Sequence, residues 1–266
     1  MTTSSFFVKH RFARGASIAI HEKSQLSRRA ERSAVHELDY VGYLERRLAD
    51  AQGAKKTVRT EIQIEIAAAR LLAERGYHTI SVDQIAETAG LAHGTFYRYF
   101  SSKSDVVAKT LSDYFDFVRA TRPAIPRNTS TYEAIYTANL HYVRCFQRNV
   151  GLMKCHFHVK DQEEVIAEVG RRADEGMVAR IIRSYQRRRE CDAAELARLR
   201  LSAYGLVGMV DELLVKIYGQ TNPPLAEYAD QPEMVAAILS ELWFNSLYGN
   251  SSQAKAEPAA ISRPAS

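Results

Sequence analysis

The sequence of 266 residues has little of what marks several protein classes. Seven Pro and 13 Gly are too few for a collagen-like or low-complexity chain. Its three cysteines, Cys145, Cys155 and Cys191, form no C-x-x-C pair, which excludes a disulfide scaffold and favours a reducing, intracellular setting. No apolar run approaches the ~18 residues of a membrane span, and basic residues interrupt the apolar N-terminus where a signal peptide would need a core. We therefore expect a cytoplasmic protein.

Motifs of catalysis and cofactor binding are missing as well. The sequence has no nucleophile elbow, P-loop, dinucleotide fingerprint or zincin motif. Metal-ligand residue types do cluster, at His141, Cys145, Cys155, His156 and His158, but without C-x-x-C or H-E-x-x-H spacing. We expect these side chains to lie in a core or a pocket, and we expect no catalytic residue, no metal and no cofactor.

The basic excess lies at one end of the chain. Net charge is +5, and residues 1–60 hold 12 Lys and Arg against 6 Asp and Glu, whereas the rest is nearly balanced. Such a segment suits an acidic polymer, although a solvated tail explains it equally well. Two further groups, Arg171–Arg172 and Arg187–Arg189, have acidic neighbours that include Glu168, Asp174 and Glu190. We interpret both groups as solvated helix surface.

Apolar spacings of three and four recur from Leu38 to Leu247, and strand-like alternation does not persist, so the sequence predicts an all-α protein. Predicted helices cover about 27–51, 58–75, 82–89, 92–99, 103–120, 130–149, 150–158, 162–189, 193–218 and 231–248. Pro123 and Pro126 mark a domain boundary. The predicted parts are a basic, partly helical N-terminal extension (1–55), a three-helix part (56–120), a C-terminal helical part (121–249) and a disordered tail (250–266).

The most specific stretch is a pair of short helices around Gly90. Ser81 is a natural N-cap, and Gln84 three residues later completes a capping box. Gly90 supplies the left-handed residue of a tight turn, and Phe96 and Phe100 at i, i+4 give the second helix a buried face. Two short helices that cross at a glycine turn are typical of a helix-turn-helix, whose second helix enters the DNA major groove.

The outward side of that second helix suits DNA. Small side chains at Ala92 and Gly94 let the backbone approach a sugar-phosphate ridge, and His93 lies near the helix start, where base edges are read. Hydroxyls that can donate to phosphate oxygens are carried by Thr95, Tyr97 and Tyr99. Lys103 adds a cation at the start of the next helix, whose free N–H groups can hold a phosphate.

The pattern Ile85-Ala-x-x-Ala89-Gly90, followed by Gly94-Thr-Phe-Tyr97-x-Tyr-Phe100-x-x-Lys103, resembles the DNA-binding signature of TetR-type transcriptional repressors. The resemblance covers about residues 57–120 and implies that residues 56–120 are a DNA-binding domain and that residues 121–249 are a ligand-binding and dimerisation domain. It also implies a homodimer that releases a palindromic operator when a small molecule occupies the second domain. The DNA-facing residues that it implies are Ser81, Ala92, His93, Gly94, Thr95, Tyr97, Tyr99 and Lys103. Alanine at position 92, where the family often has a hydroxyl residue, and a leading segment of about 55 residues depart from the family pattern.

Candidate ligand-binding residues in the second domain are aromatic, Met and His side chains, which suit a small apolar ligand or ordinary core packing. They are Tyr142, Phe146, His156, Phe157, Met177, Tyr185 and Met209. The last two helices carry long apolar stripes, and Gly205 and Gly208 would let another helix approach closely. We expect these two helices to form a dimer interface across a two-fold axis.

Three functions remain open from the sequence. The first is a ligand-responsive, sequence-specific repressor of operator DNA. The second is an architectural DNA-binding protein that uses its basic first sixty residues without sequence preference. The third is an enzyme with an all-helical active site, which no motif supports.

Overall fold

The computed structural model describes residues 37–188, 190–220 and 224–249. Within these ranges the chain forms α-helices and short helical turns and contains no strand, which confirms the all-α prediction. The α-helices are α1 Tyr40–Asp50, α2 Lys56–Arg75, α3 Val82–Thr88, α4 His93–Phe96, α5 Lys103–Ala120, α6 Thr131–Arg148, α7 Val150–Val159, α8 Glu164–Gln186, α9 Ala193–Leu214 and α10 Pro232–Tyr248. A π-helical turn, Val215–Gly219, extends α9, and 3-10 turns occupy Ala51–Gly53, Tyr77–Thr79 and Ala226–Tyr228.

Most predicted helices agree with these bounds to within two or three residues. Capping boxes start α3, α6 and α9, at Ser81, Ser130 and Asp192. The first predicted helix extended from residue 27 to 51; its part before residue 37 lies outside the described residues, and the described helix α1 begins at Tyr40. The tail predicted to be disordered, residues 250–266, also lies outside them.

Helix α2 is the centre of the N-terminal half. One side of this helix carries Ile62, Ile66, Ala69 and Leu72 at helical spacing, and all four are buried. The opposite side is buried too, because α1, α3, α5 and α7 surround this helix. At Gly151 of α7, a Cβ atom would lie 2.4 Å from the Cα atom of Ala73 on α2, so the close approach of these two helices requires glycine.

Helix α1 packs into this core. Tyr40 and Leu44 are fully buried, and the Tyr40 ring lies 5.5 Å from the rings of both Tyr114 and Phe117 on α5. Asn149, between α6 and α7, accepts a hydrogen bond from the Tyr40 amide at 2.9 Å. The end of the N-terminal extension thus contacts both halves of the chain.

Candidate nucleic-acid interface and ligand cavity

The α3–turn–α4 unit has the local geometry that the sequence predicted. The Ser81 hydroxyl accepts from the Gln84 amide and the Gln84 side chain accepts from the Ser81 amide, which confirms the capping box. Gly90 has φ +70°, a left-handed conformation that glycine adopts without steric cost. Phe96 and Phe100 are buried, so α4 is held against α3 by its apolar side.

The outward side of α4 presents small residues, rings and a cation. We call it the α4 face: Ala92, His93, Gly94, Tyr97 and Arg98, all exposed. Tyr97 is 50% exposed, and its ring lies 5.0 Å from the His93 ring in an edge-on arrangement. The Nδ1 atom of His93 contacts the Asp83 carboxylate of α3, which orients the imidazole at the start of α4.

Three other residues of the predicted DNA-binding set lie nearer to the protein body. Thr95 is half-buried, and Tyr99 is half-buried against the core. The Lys103 ammonium donates to the carbonyl oxygens of Tyr77 at 2.9 Å and Ile80 at 3.1 Å and lies 4.1 Å above the Tyr77 ring. Two of its three N–H groups therefore fix the segment before α3, and one is left for a phosphate.

Arg98 is an exposed cation that the sequence reasoning missed. It occupies the unspecified position between Tyr97 and Tyr99 in the pattern quoted above, so the pattern gave no signal for it. Its exposure beside Tyr97 in the turn after α4 makes it a candidate phosphate ligand.

A cavity of about 440 Å³ lies among α5, α6, α7, α8, α9 and α10. Of the predicted ligand-binding residues, Tyr142, His156, Phe157 and Met177 line it, whereas Phe146, Tyr185 and Met209 do not. Phe146 is fully buried behind the wall, with its ring stacked on Phe157 at 6.2 Å. The Tyr185 ring stacks at 5.5 Å on Tyr248, which does line the cavity.

Burial shifts the pKa values of two carboxyl groups and one imidazole that line the cavity toward their neutral forms. Tyr142 donates a 2.7 Å hydrogen bond to Asp211, and burial raises the pKa of the Asp211 carboxyl to about 7. Burial lowers the pKa of His156 to about 4, with a smaller contribution from Lys160, so this imidazole is uncharged at neutral pH. Burial also raises the pKa of Asp174 on α8.

Five arginines line one part of the cavity, and we call them the guanidinium cluster: Arg119, Arg122, Arg180, Arg187 and Arg188. Arg187 and Arg188, in the turn that follows α8, are exposed at the edge of the cavity, which agrees with their interpretation as solvated surface, and Arg189 lies outside the described residues. Asp174, interpreted as one of the carboxylates that offset this charge, is half-buried on α8 and lines the cavity. The interpretation as solvated surface also holds for Arg171 and Arg172, which pair with Glu164 and Glu168.

The histidines and cysteines considered as metal ligands are dispersed. Within the described ranges, no group of three or more His, Cys, Asp or Glu residues could hold a metal ion. Cys145 and Cys155 are buried, and burial raises the pKa of each thiol to about 12. The same part of the chain contains no helix of the length and apolarity that a membrane crossing needs.

An apolar surface on α9 and α10 has no partner among the described residues. It comprises Leu201, which is 76% exposed, and Met234, Ile238 and Leu242, which follow one another at intervals of four on α10. We call these four residues the outer apolar face. On α9, added Cβ atoms at Gly205 and Gly208 would meet nothing within 4 Å, so this side of the helix is open.

A glycine turn between two short helices, the second of which exposes its outward side, defines a helix-turn-helix, and a helical part with a cavity follows it. Residues 66–110 match the family model described as bacterial regulatory proteins, tetR family. Residues 66–110 therefore form a DNA-binding segment of the TetR type.

Named relatives are similar over the same part. The chain is 48% identical over 46 residues to the fatty acid metabolism regulator protein of Bacillus subtilis (strain 168), covering 17% of this chain and 24% of that protein. It is 36% identical over 101 residues to the HTH-type transcriptional repressor KstR2 of Rhodococcus jostii (strain RHA1), covering 33% of this chain and 48% of that protein. The chain therefore spans half or less of the length of these curated relatives.

The similarity in fold extends further than the similarity in sequence. A transcriptional regulator from Rhodococcus sp. Rha1 superposes with a TM-score of 0.55 at 19% identity, covering 70% of this chain and 96% of that one. The two chains thus share the fold of the C-terminal helical part, and this similarity of fold does not identify a ligand.

Proposed function

We propose that the protein is a transcriptional repressor that binds a palindromic operator as a homodimer and releases it when a small molecule fills the cavity. The observation that carries this proposal is the α4 face, whose exposed groups cover one side of a helix that Phe96 and Phe100 anchor. The description of one relative as an HTH-type transcriptional repressor supports repression as the outcome. A cytoplasmic location and the absence of catalysis are parts of the same proposal.

The chemistry of the α4 face fits a major groove. An added Cβ at Gly94 would meet nothing within 4 Å, so the surface there is low enough for a phosphate ridge to approach. Tyr97 and Arg98 can donate to phosphate oxygens, and the oriented His93 ring can reach base edges. In a symmetric dimer the two α4 helices would read half-sites about one helical turn, or a multiple of it, apart.

Contacts between the two halves provide a route from cavity to DNA. Tyr77, at the segment that leads into α3, donates a 2.6 Å hydrogen bond to Glu163 at the N-cap of α8. Helix α8 lines the cavity, and Lys103 binds the carbonyl oxygen of the same Tyr77. A ligand that shifts α8 would thus change the position of the helix-turn-helix, with a coupling free energy of about 1–3 kcal/mol, as is typical of allosteric proteins.

Selection from random-sequence duplexes followed by gel shift tests the DNA-binding part. We expect recovery of a palindrome, and we expect Tyr97→Phe to weaken binding about fivefold per half-site because one hydrogen bond of about 1 kcal/mol is lost. Tyr132→Phe on α6 removes a hydroxyl outside the α4 face and should leave affinity unchanged. Recovery of no preferred sequence would contradict the proposal.

The alternative function, an architectural DNA-binding protein, depends on the basic N-terminal segment. A truncation of that segment therefore distinguishes it from a sequence-specific repressor. Deleting residues 1–36 removes most of the basic excess and keeps Tyr40 and Leu44, whose burial in the core makes a longer deletion unsafe. A specific repressor keeps its operator preference and loses only affinity for all DNA. Loss of nearly all binding, with no sequence preference before or after truncation, would favour the architectural function.

A further inference from the structure

The cavity is polarised along helix α8. Residues that line it from this helix follow one stripe, from Asp174 through Met177 and Ile181 to Ser184, and Arg187 and Arg188 continue the lining in the turn that follows α8. At 1.5 Å per residue, the stripe is about 15 Å long, with a carboxyl at its start and guanidinium groups beyond its end. Helix α5 runs beside it in the same sense, because Phe115 contacts the His156 ring near Gly170 and Arg122 contacts Met177. The basic ends of both helices therefore meet at one end of the cavity.

The charge of this end is not neutralised by the protein. Among the described residues, the one carboxylate that pairs with a member of the guanidinium cluster is Asp116, which binds Arg119; Arg122, Arg180, Arg187 and Arg188 form no ion pair. The hydrogen bond that Arg122 does form is a weak one, at 3.7 Å to the sulfur of Met177. Burial lowers the pKa of Arg122, with the nearby Arg180 adding to the effect, and burial and Arg119 lower that of Arg180. Partly buried cations without a counter-ion are costly, and a bound anion removes that cost.

Away from the cluster the wall is mostly apolar, with a few polar atoms among its side chains. Phe115, Met153, Phe157, Val207 and Trp243 contribute apolar surface to the lining. His156 Nδ1 and Trp243 Nε1 are buried and form no hydrogen bond within the described part of the chain. In this part of the cavity the carboxyl of Asp211, which accepts the hydrogen bond of Tyr142, disfavours a bound anion. An anionic group would therefore bind at the arginines, with an apolar body extending inward.

We propose that the cavity binds an amphipathic anion, with a carboxylate or phosphate group held by Arg122 and Arg180 and an apolar body along α5 and α8. This refines the sequence-based expectation of an apolar ligand. It deepens the proposed function and depends on it for its regulatory meaning. Arg187 and Arg188, which are exposed at the edge of the cavity, would extend the anion site outward to a larger, multiply charged head group.

The single tryptophan of the chain makes the binding measurable without DNA. Trp243 lines the cavity, so its fluorescence reports occupation. We would titrate the full-length protein, below micelle-forming concentrations, with four twelve-carbon probes: dodecanoate, dodecyl phosphate, dodecanol and dodecyltrimethylammonium. We expect at least one of the two anions to bind about tenfold or more tightly than dodecanol, and the cation to bind most weakly. The ratio of the two anions tells carboxylate from phosphate.

Substitutions distinguish a specific anion site from a cavity that binds any apolar molecule of the right size. Arg122→Gln and Arg180→Gln should each weaken binding of the preferred anion about tenfold and change dodecanol binding by less than about twofold. Arg172→Gln removes the same charge from α8, but Arg172 lies outside the cavity and pairs with Glu168, so all affinities should stay within about twofold. Dodecanol binding as tightly as both anions, or equal losses for anion and alcohol in the cavity variants, would overturn the proposal.

A gel shift with the same probes distinguishes this inference from the proposed function. Anion binding that depends on Arg122 but leaves the protein–DNA complex intact would uphold the ligand class and contradict ligand-controlled repression. Specific DNA binding without any preference for the anions would overturn the ligand class and leave the DNA-binding function standing.

Discussion

At the scale of single residues, Glu65 is the most unusual group in the N-terminal half. Its carboxylate lies in the core on α2 and accepts a 2.5 Å hydrogen bond from the Tyr40 hydroxyl. Burial raises the pKa of Glu65 to about 7, and the charge of Asp113 adds to this, while the Tyr40 hydrogen bond and the cations Lys109 and Arg47 act in the opposite direction. Desolvation is the dominant effect, so the neutral carboxyl is the form that the core favours.

This raised pKa predicts a specific dependence of stability on pH. The folded protein binds the Glu65 proton more tightly than the unfolded chain does, so its contribution to stability is fully present below about pH 4.5 and is lost as pH rises through about 7. Glu65→Gln should remove that loss. Relative to this variant, the free energy of unfolding of the wild type should fall by at most about 3 kcal/mol between pH 5 and pH 8. Denaturant unfolding at a series of pH values measures this.

Asp211, whose pKa is also raised to about 7, contributes a slope of the same sign to both proteins, so the difference between variant and wild type isolates Glu65. Glu74→Gln provides a control, because it removes the same charge from the exposed surface of α2. Parallel stability curves for Glu65→Gln and wild type would show that the carboxyl is not protonated in the folded state.

At the scale of elements, helix positions were largely predictable from the sequence. Apolar spacing and caps are local signals, and Ser81, Gly90 and Ser130 act through hydrogen bonds or dihedral angles within a few residues of themselves. The packing of α1 was not decided by its sequence, because its stripe around Leu44 fits a dimer contact as well as the groove between α2 and α5. That choice depends on Tyr114 and Phe117, which are distant in the chain.

The two candidate sites differ in the same respect, because one depends on local sequence and the other on packing between distant segments. The α4 face follows from one short segment, so residues such as His93 and Tyr97 could be named in advance. The cavity is built from six helices, and which side of α8 turns inward depends on the packing of all of them. Sequence reasoning therefore selected aromatic residues, of which Phe146 belongs to the wall behind the cavity, and did not identify Arg122 and Arg180 as lining residues.

Asn149 is the residue that fastens α1 to the second half of the chain. Its side chain accepts from the Tyr40 amide at 2.9 Å and donates to the carbonyl oxygens of Leu38 and Cys145, both at 2.8 Å. Asn149→Ala removes the acceptor of the buried Tyr40 amide and the side-chain donor of the Leu38 carbonyl, at a cost of about 1–3 kcal/mol, whereas the Cys145 carbonyl still accepts from the Tyr114 hydroxyl. We expect faster amide hydrogen exchange at the start of α1 and a lower free energy of unfolding.

Gln147→Ala serves as the matched control for this element. Gln147 lies one half-turn earlier on α6 and donates to the Ala229 carbonyl at 2.9 Å, away from α1. Its loss should leave exchange in α1 at the wild-type rate. If α1 exchanges equally fast in wild type and Asn149→Ala, the attachment through Asn149 makes no contribution to holding the helix.

At the scale of the whole molecule, the proposed function requires two copies of the α4 face at a fixed separation. One copy reads a few base pairs, and joining two makes the second binding event intramolecular, with an effective concentration in the millimolar range. The outer apolar face is the surface best suited to hold two chains, because its large side chains are exposed in one chain and Gly205 and Gly208 leave room for a neighbouring backbone. The operator affinity of the regulator should therefore depend on residues that are remote from DNA.

Ile238→Glu tests this dependence. Ile238 is 49% exposed in the single chain, so a carboxylate there stays hydrated and the helical content should not change, whereas in a dimer each chain would bury an unpaired charge at a cost of several kcal/mol. We expect light scattering to give the mass of one chain at micromolar concentration and palindrome binding to fall to the level of an isolated half-site. Val165→Glu on α8, also 49% exposed but outside the outer apolar face, should keep both the dimer mass and the affinity. If the dimer persists in Ile238→Glu, or if Val165→Glu disrupts it equally, the dimer interface does not lie at the outer apolar face.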